Sequence, residues 1–359
     1  MDKPENLTSS RKLDHIRICM NQNVETDGAG FSDVFLVHNA LPECNMDNIK
    51  LSTRFLGHKI ESPLFIAAMT GGHPGTIEVN RRLARAAEKF GLGIGVGSQR
   101  AALEDPSLEN TFSVVRDEAP DAFVVANIGI VQLRDHGLKW AERAIEMIDA
   151  DAIAIHLNFL QEAVQPEGDH DGSGLVDALT DLTSSIDLPV IMKETGSGIS
   201  YETAKRGLGA GVSAIETGGF GGTSWAVIER ERAKERKSLG DDVRILLGET
   251  FSDWGIPTVM SLLEIAPLNC PLISTGGLRS GLDIAKSVAM GASLCGMALP
   301  LLRSAVKSES ALEDKILQIN KELKVAMFLT GSESINKLKS ARTILTGKTL
   351  ELTKRKKEE

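Results

Sequence analysis

The chain is poor in aromatic residues, with eleven Phe, three Trp and one Tyr in 359 residues. So few rings exclude the stacking platforms that hold single-stranded nucleic acids. Basic charge is also scarce: 40 Lys and Arg stand against 49 Asp and Glu, a formal net charge of −9. A general nucleic-acid binder neutralises phosphates with a basic surface, so no nucleic-acid partner is expected. The four cysteines, Cys19, Cys44, Cys270 and Cys295, lie far apart, with no pair at zinc-ligand or redox-motif spacing. They are expected to be reduced and buried. No apolar run approaches the roughly 20 residues of a membrane helix, and the best stretch, 293–302, is broken by Pro300. Residues 1–10 are polar, so the expectation is neither a secretory signal nor a targeting helix, and a cytoplasmic location.

What the chain does contain is an ordinary globular balance, 42% hydrophobic and 25% charged, and a repeating pattern. From residue 64 onward, short runs rich in Ile, Val and Ala alternate with helical patterns. Strands are predicted at 64–69, 92–96, 122–127, 151–156, 188–193, 212–217, 271–275 and 292–297. Helices are predicted at 76–90, 107–118, 137–149, 174–186, 200–209, 256–267, 281–290 and 310–330. Continuous apolar strands are buried on both faces, as in a parallel sheet covered by helices. A doubly wound open sheet shares this pattern. Eight cycles with polar, glycine-bearing strand ends favour an α/β fold closed as a (β/α)8 TIM barrel, whose loops converge on one mouth. The expected organisation is a cap extension over 1–60 that covers substrate, a barrel over 61–335 and a charged tail over 336–359, frayed from 348, after a C-terminal helical extension. Segments 33–38 and 53–58 read as short strands of a hairpin or cap, and the long excursion 218–255 reads as a lid.

The strand ends carry the chemistry. The first ends in Met69-Thr-Gly-Gly72 and the second in Gly95-Val-Gly-Ser-Gln-Arg100. The seventh leads through Ser274-Thr-Gly-Gly-Leu-Arg-Ser280 into a helix, and Gly296-Met-Ala-Leu299 follows on the eighth. Small residues at these two neighbouring ends suit a phosphate held by backbone N–H groups and a helix dipole, although Gly276 to Arg279 alone also fit a simple helix-capping turn. Lys193, at the tip of a buried strand, must meet an anion, either a ligand or a barrel carboxylate such as Glu194. Thr223 sits among glycines that would admit a flat ligand. His156 is either a satisfied barrel histidine or a catalyst. Gln161 and Glu162 are either helix-start residues or part of a mouth loop, because Gln165-Pro-Glu-Gly-Asp169 breaks any longer helix. A carboxylate beside a phosphate site suits Mg²⁺. No nucleophile elbow and no His-rich metal spacing occur, which leaves the chemistry to a cofactor.

Taken in order, Arg11-Lys12, Met69 to Gly72, Gly97 to Arg100, Ala126 to Gly129, His156 to Asn158 with Gln161-Glu162, Gln165 to Gly168, Lys193-Glu194, Gly221 to Thr223, Asp253 to Gly255 and Ser280 to Asp283 resemble type 2 isopentenyl-diphosphate isomerases, the flavin-dependent form, over nearly the whole length. The resemblance implies FMN held by Met69, Thr70, Gly71, Ser98, Asn127, Lys193 and Thr223, with its phosphate on Gly276, Gly277, Leu278, Arg279, Ala298 and Leu299. It implies Arg11, Lys12, Ser98, Gln99, Arg100 and Gln161 around a small-molecule diphosphate, Mg²⁺ on Glu162, and Gln161 and His156 as catalytic groups. It further implies isopentenyl and dimethylallyl diphosphate interconverted by a 1,3-allylic proton shift, with FMN reduced by NADPH and placed to donate or remove the proton. A homo-oligomer, tetramer or octamer, with no membrane partner is also implied. Two positions depart from the family pattern: Gly218 where Ser is expected, and Ser224 where Asn is common. The rivals are an FMN-dependent oxidoreductase on the same barrel, and a flavin-binding sensor without turnover. No Gly-x-Gly-x-x-Gly unit is present to bind a nicotinamide stably.

Overall fold

The fold is described from a computed structural model covering residues 7–165, 168–236 and 240–355. Eight parallel strands close into a barrel in chain order: Leu64–Ile66, Gly93–Gly95, Val124–Gly129, Ala152–Leu157, Val190–Glu194, Ala214–Glu216, Leu272–Thr275 and Leu294–Met297. The eighth pairs with the first, Cys295 opposite Leu64, which completes the ring. All eight lie on the predicted cycles.

Side chains alternate between two cores, as the period of two requires. Phe65, Val125, Ala152, Ala154, Ile191, Ala214, Ile273 and Leu294 fill the barrel interior. Ile66, Val124, Ala126, Ile153, Val190, Ile215 and Leu272 face the helices instead. This parity decides the site. Continuing the inward positions toward the carboxyl ends reaches Asn127, His156, Lys193, Glu216 and Thr275, so each of these strands carries a polar inward residue near its carboxyl end.

The extensions depart from the sequence reading. Segments 33–38 and 53–58 do not pair with each other. Val34–Leu36 pairs antiparallel with Thr343–Leu345, whereas Thr53–Phe55 forms a hairpin with His58–Ile60. Phe55 and Ile60 of that hairpin join the interior core and plug the barrel opposite its mouth. The tail is not frayed throughout: Gly347–Arg355 is helical, and the Asp33 carboxylate accepts from Thr349 N and Oγ1 at 2.9 and 2.8 Å. Residues 356–359 lie outside the described part, as do Pro166 and Glu167 of the predicted helix-breaking segment. The excursion after the sixth strand contains two helices, Trp225–Arg236 and Asp241–Thr250. An amino-terminal helix, Leu7–Asn21, buries Ile18 and Cys19 against Val227, Ile228, Leu299 and Leu302, at the mouth side of the barrel. None of the described helices is long and apolar enough to cross a membrane.

Candidate active site

A cavity of about 210 Å³ opens at the carboxyl ends of the strands. Every barrel strand or the loop after it contributes to the wall, and Arg11, Lys12 and His15 reach it from the amino-terminal helix. Met69, Thr70, Ser98, Asn127, Lys193 and Thr223 all line it, as do His156, Gln161 and Glu162. The glycine turn Gly276 to Arg279 and the eighth-strand residues Ala298 and Leu299 form its far end. Two expected residues are not brought to it. Gln99 is fully buried in the barrel wall, where its Nε2 donates to Ala144 O at 2.8 Å and its Oε1 accepts from Asn127 N at 2.9 Å. It braces Asn127 and faces no ligand space. Gly71 likewise turns away: its φ is +138°, and a Cβ there would lie 2.1 Å from the Phe112 ring.

Lys193 is paired with a carboxylate that the sequence reading did not single out. Its Nζ donates to Glu216 Oε1 at 2.8 Å and to Glu194 O at 2.9 Å, with both side chains of the pair buried. Glu216 was detectable by parity, two residues beyond the inward Ala214. Glu194 instead points into its own loop, where its carboxylate accepts from the N–H groups of Gly196, Ser197 and Gly198; burial raises its pKa to about 7 despite these bonds.

His156 Nδ1 lies 2.9 Å from Asn127 Oδ1, and Asn127 Nδ2 donates to Val96 O at 3.0 Å. The second bond fixes the amide, so Nδ1 of His156 carries the proton and Nε2 the lone pair. Burial, with the charges of Lys193 and Lys12, lowers the His156 pKa to about 3. It is therefore a neutral hydrogen-bonding group across the ordinary pH range and not a proton donor.

At the rim, Lys12 is pushed down to about 7 by burial and by the charges of Arg11 and Arg100. Three basic side chains thus gather at one edge of the cavity, with Arg100 Nε donating to Glu104 Oε1 at 2.7 Å. Arg11 Nη1 also donates to Gln165 Oε1 at 3.2 Å. Gln165 Nε2 in turn donates to Glu162, whose buried carboxylate also accepts from Asn158 Nδ2 at 2.7 Å and Asp169 N at 2.9 Å. Among the described residues no three His, Cys, Asp or Glu side chains gather as a metal cage. Glu162 is a rigidly held carboxylate that lines the cavity, as does the Lys193-paired Glu216.

The glycine turn works differently from its sequence reading. The helix Gly281–Ala289 is closed by its own capping box of Ser280 and Asp283, and Asp283 Oδ2 also takes Arg279 N at 3.0 Å. The Arg279 guanidinium is held by Glu25 and by Leu278 O. The helix start left facing the cavity is that of Leu299–Lys307. The glycines of the excursion serve loop packing: a Cβ on Gly222 would lie 2.5 Å from Gly277 N, and one on Gly276 would lie 2.1 Å from Gly219 O. Gly218 has φ +47°, and a Cβ there would lie 2.0 Å from Glu194 O, so this backbone takes no serine at that position. Ser224 Oγ donates to Ser252 O at 3.2 Å, tying the start of helix Trp225–Arg236 to the loop after Asp241–Thr250.

Residues 15–126 and 158–345 match the FMN-dependent dehydrogenase family. An isopentenyl-diphosphate delta-isomerase of Methanoregula boonei is 59% identical over 345 residues, 96% of each chain. That of Methanosarcina mazei is 54% identical over 348 residues, 96% of this chain and 94% of its own. That of Archaeoglobus fulgidus is 49% identical over 341 residues, 95% of this chain and 97% of its own. Among solved structures, a Pediococcus acidilactici lactate oxidase superposes with TM-score 0.65 at 16% identity, covering 93% of this chain and 87% of its own. A mandelate oxidase variant superposes with TM-score 0.63 at 18% identity, covering 92% and 95%. The two oxidases establish likeness of fold alone. The family match and the relatives establish more: this chain belongs to the FMN-dependent dehydrogenase family and, within it, to the isopentenyl-diphosphate delta-isomerases.

Proposed function

We propose that this chain interconverts isopentenyl and dimethylallyl diphosphate by a 1,3-allylic proton shift. A proton leaves C2, the double bond moves from C3=C4 to C2=C3, and a proton arrives at C4, with no net change in oxidation state. The observation that carries this reading is the convergence of Arg11, Lys12 and Arg100 with the buried Glu162 on the rim of a cavity whose inner histidine stays neutral. The rim suits a diphosphate, and the ionisable pair of the interior, Lys193 and Glu216, is engaged with itself.

The residues fit FMN. Thr70 Oγ1 is buried with no partner among the described residues, so it is available to a ligand that fills the cavity. Lys193 adds a charged donor, and Gly276, Gly277, Ala298 and Leu299 surround the far end, beside the open helix start, as a phosphate requires. Bound FMN, once reduced by NADPH, would supply acid–base chemistry to the alkene, with Lys193 and Glu216 engaged with each other. Arg11, Lys12, Arg100 and Ser98 hold and orient the diphosphate, and Gln161 and His156 bound the space around the alkene as neutral polar groups. Glu162 would take Mg²⁺ together with substrate oxygens and waters, a ligand set that Mg²⁺ favours.

The assignment of residues 1–60 as a substrate-covering extension is supported by the amino-terminal helix, which brings Arg11 and Lys12 to the rim. The reading includes assembly as a tetramer or octamer, to which the exposed apolar side chains Val243, Leu246 and Trp254, each about 60% exposed, are open as contacts. A cytoplasmic location completes the reading.

Anaerobic holoprotein with reduced FMN, Mg²⁺ and isopentenyl diphosphate should form dimethylallyl diphosphate over many turnovers. A flavin-loaded protein that makes none fails the assignment.

Lys12 gives the reading a pH signature. With its pKa held near 7, the free protein has lost this charge above that pH, and binding a diphosphate then requires proton uptake. KM should therefore rise with pH above about 7. Arginine remains charged there, so the ratio of wild-type to Lys12→Arg KM should grow roughly tenfold between pH 7 and 8.5. Using the ratio cancels titration of the substrate itself. Parallel KM profiles would remove Lys12 from the diphosphate site.

A further inference from the structure

Glu229 lies behind the cavity wall on the helix Trp225–Arg236 and is 3% exposed. Its Oε2 accepts from Arg232 Nη1 at 3.0 Å, and its Oε1 lies 3.0 Å from His15 Nε2. Burial alone would raise its pKa, but the hydrogen bonds from His15 and Arg232 and the charge of Arg232 hold it down to about 2, so it is a carboxylate throughout the working range, while burial lowers the His15 pKa and leaves that ring neutral. An ionised carboxylate only accepts, which assigns the proton to His15 Nε2. The His15 ring is set in turn by the edge of Trp225, with centroids 5.0 Å apart at 72°.

The same Glu229 Oε1 also receives Gln161 Nε2, at 3.4 Å, and Gln161 Oε1 receives Asn158 Nδ2, at 3.4 Å. Both contacts are long, but they agree in sense. Flipping the Gln161 amide would turn its carbonyl oxygen toward a carboxylate and its NH2 toward a donor. Glu229 thereby fixes which end of the Gln161 amide faces each neighbour, while His15 fixes Glu229. His15 is on the amino-terminal helix, on the face that brings Arg11 and Lys12 to the rim.

We propose that His15 and Glu229 form a positioning pair that couples docking of the amino-terminal helix to the orientation of Gln161. The pair pins the helix that brings the rim cations into place, and the same hydrogen bond sets the Gln161 amide for the substrate. The inference rests on the isomerase reading for the consequence at Gln161, and on the packing alone for the helix.

The test compares holoenzyme carrying His15→Gln, His15→Leu or Glu229→Gln with the wild type, in kcat, KM, FMN content and rate of tryptic cleavage. Glutamine places an Nε2 donor near that of histidine, whereas leucine keeps bulk without a donor. His15→Leu should lose roughly 10- to 100-fold in kcat, the scale expected when a reacting group is misoriented, and its KM should rise. Its FMN content should be that of the wild type, and cleavage within 7–21, where Arg17 is already exposed, should be about tenfold faster as the helix undocks. His15→Gln should recover most of both losses, and Glu229→Gln should behave as His15→Leu does. Wild-type kcat and cleavage in His15→Leu would overturn the proposal, as would a His15→Gln variant as impaired as His15→Leu. If leucine prevents folding, His15→Gln against His15→Asn, whose shorter amide does not reach Glu229, makes the same comparison. A wild type that turns over no isopentenyl diphosphate overturns the isomerase reading, and the cleavage rates then decide the pair by themselves.

Discussion

Glu162→Gln should raise the Mg²⁺ concentration for half-maximal activity roughly tenfold or more and lower kcat/KM by roughly 10²- to 10³-fold, with FMN content unchanged. The carboxylate is held by Asn158 on one oxygen and by Gln165 and Asp169 N on the other. All three partners donate. A glutamine in the same volume must turn its NH2 toward a donor in either orientation, so the variant loses the metal's charge and also misaligns the loop. The structural component should cost about 1–3 kcal/mol, the price of an unsatisfied buried group, and thermal unfolding measures it separately. A Mg²⁺ titration that overlays the wild type would reduce Glu162 to a loop brace.

Lys193→Ala carries the second large effect. It leaves Glu216 buried, with 3% of its side chain exposed, and without its ion-pair partner. Removing one partner of a buried pair costs about 3–5 kcal/mol, and losing a charged hydrogen bond to the flavin should cost a further 1.5–3 kcal/mol of FMN binding, about 10- to 100-fold in Kd. The double variant Lys193→Ala/Glu216→Gln separates the two, because it removes the orphaned charge and should restore stability while FMN affinity stays low. Flavin titration of the apoprotein, followed by fluorescence, gives both affinities. Unchanged FMN affinity in the single variant would show that Lys193 serves only the barrel's internal ion pair.

The barrel was legible because its signal is local. Each strand announces itself as a short run such as Ala152-Ile-Ala-Ile155, and the ring needs only eight of them in order. The extensions were not, because their partners are remote. Val34–Leu36 has the composition of a strand, but nothing near it in the chain reveals that it pairs with Thr343–Leu345. Trp225–Arg236, in which Glu229 and Arg232 are buried, reads as a solvated charge run until the amino-terminal helix covers it. His15 and Glu229 escaped the sequence reading for the same reason, since each is meaningful only when the other is opposite. Gln99 misled because its neighbours Ser98 and Arg100 do face the cavity. Adjacent residues at a strand's end point to different sides, and Gln99 faces the wall.

The central claim is that the reaction moves a proton and leaves the redox state where it was. Holoprotein with chemically reduced FMN, free of oxygen, should be given isopentenyl diphosphate and Mg²⁺ in D2O while the flavin absorbance is followed. Deuterium should accumulate in the methyl group of dimethylallyl diphosphate over many turnovers, with the flavin spectrum still that of the reduced form at the end. Flavin reoxidised in proportion to substrate consumed, or product free of deuterium, would contradict the proton shift and place the chain among the oxidoreductases that share its barrel.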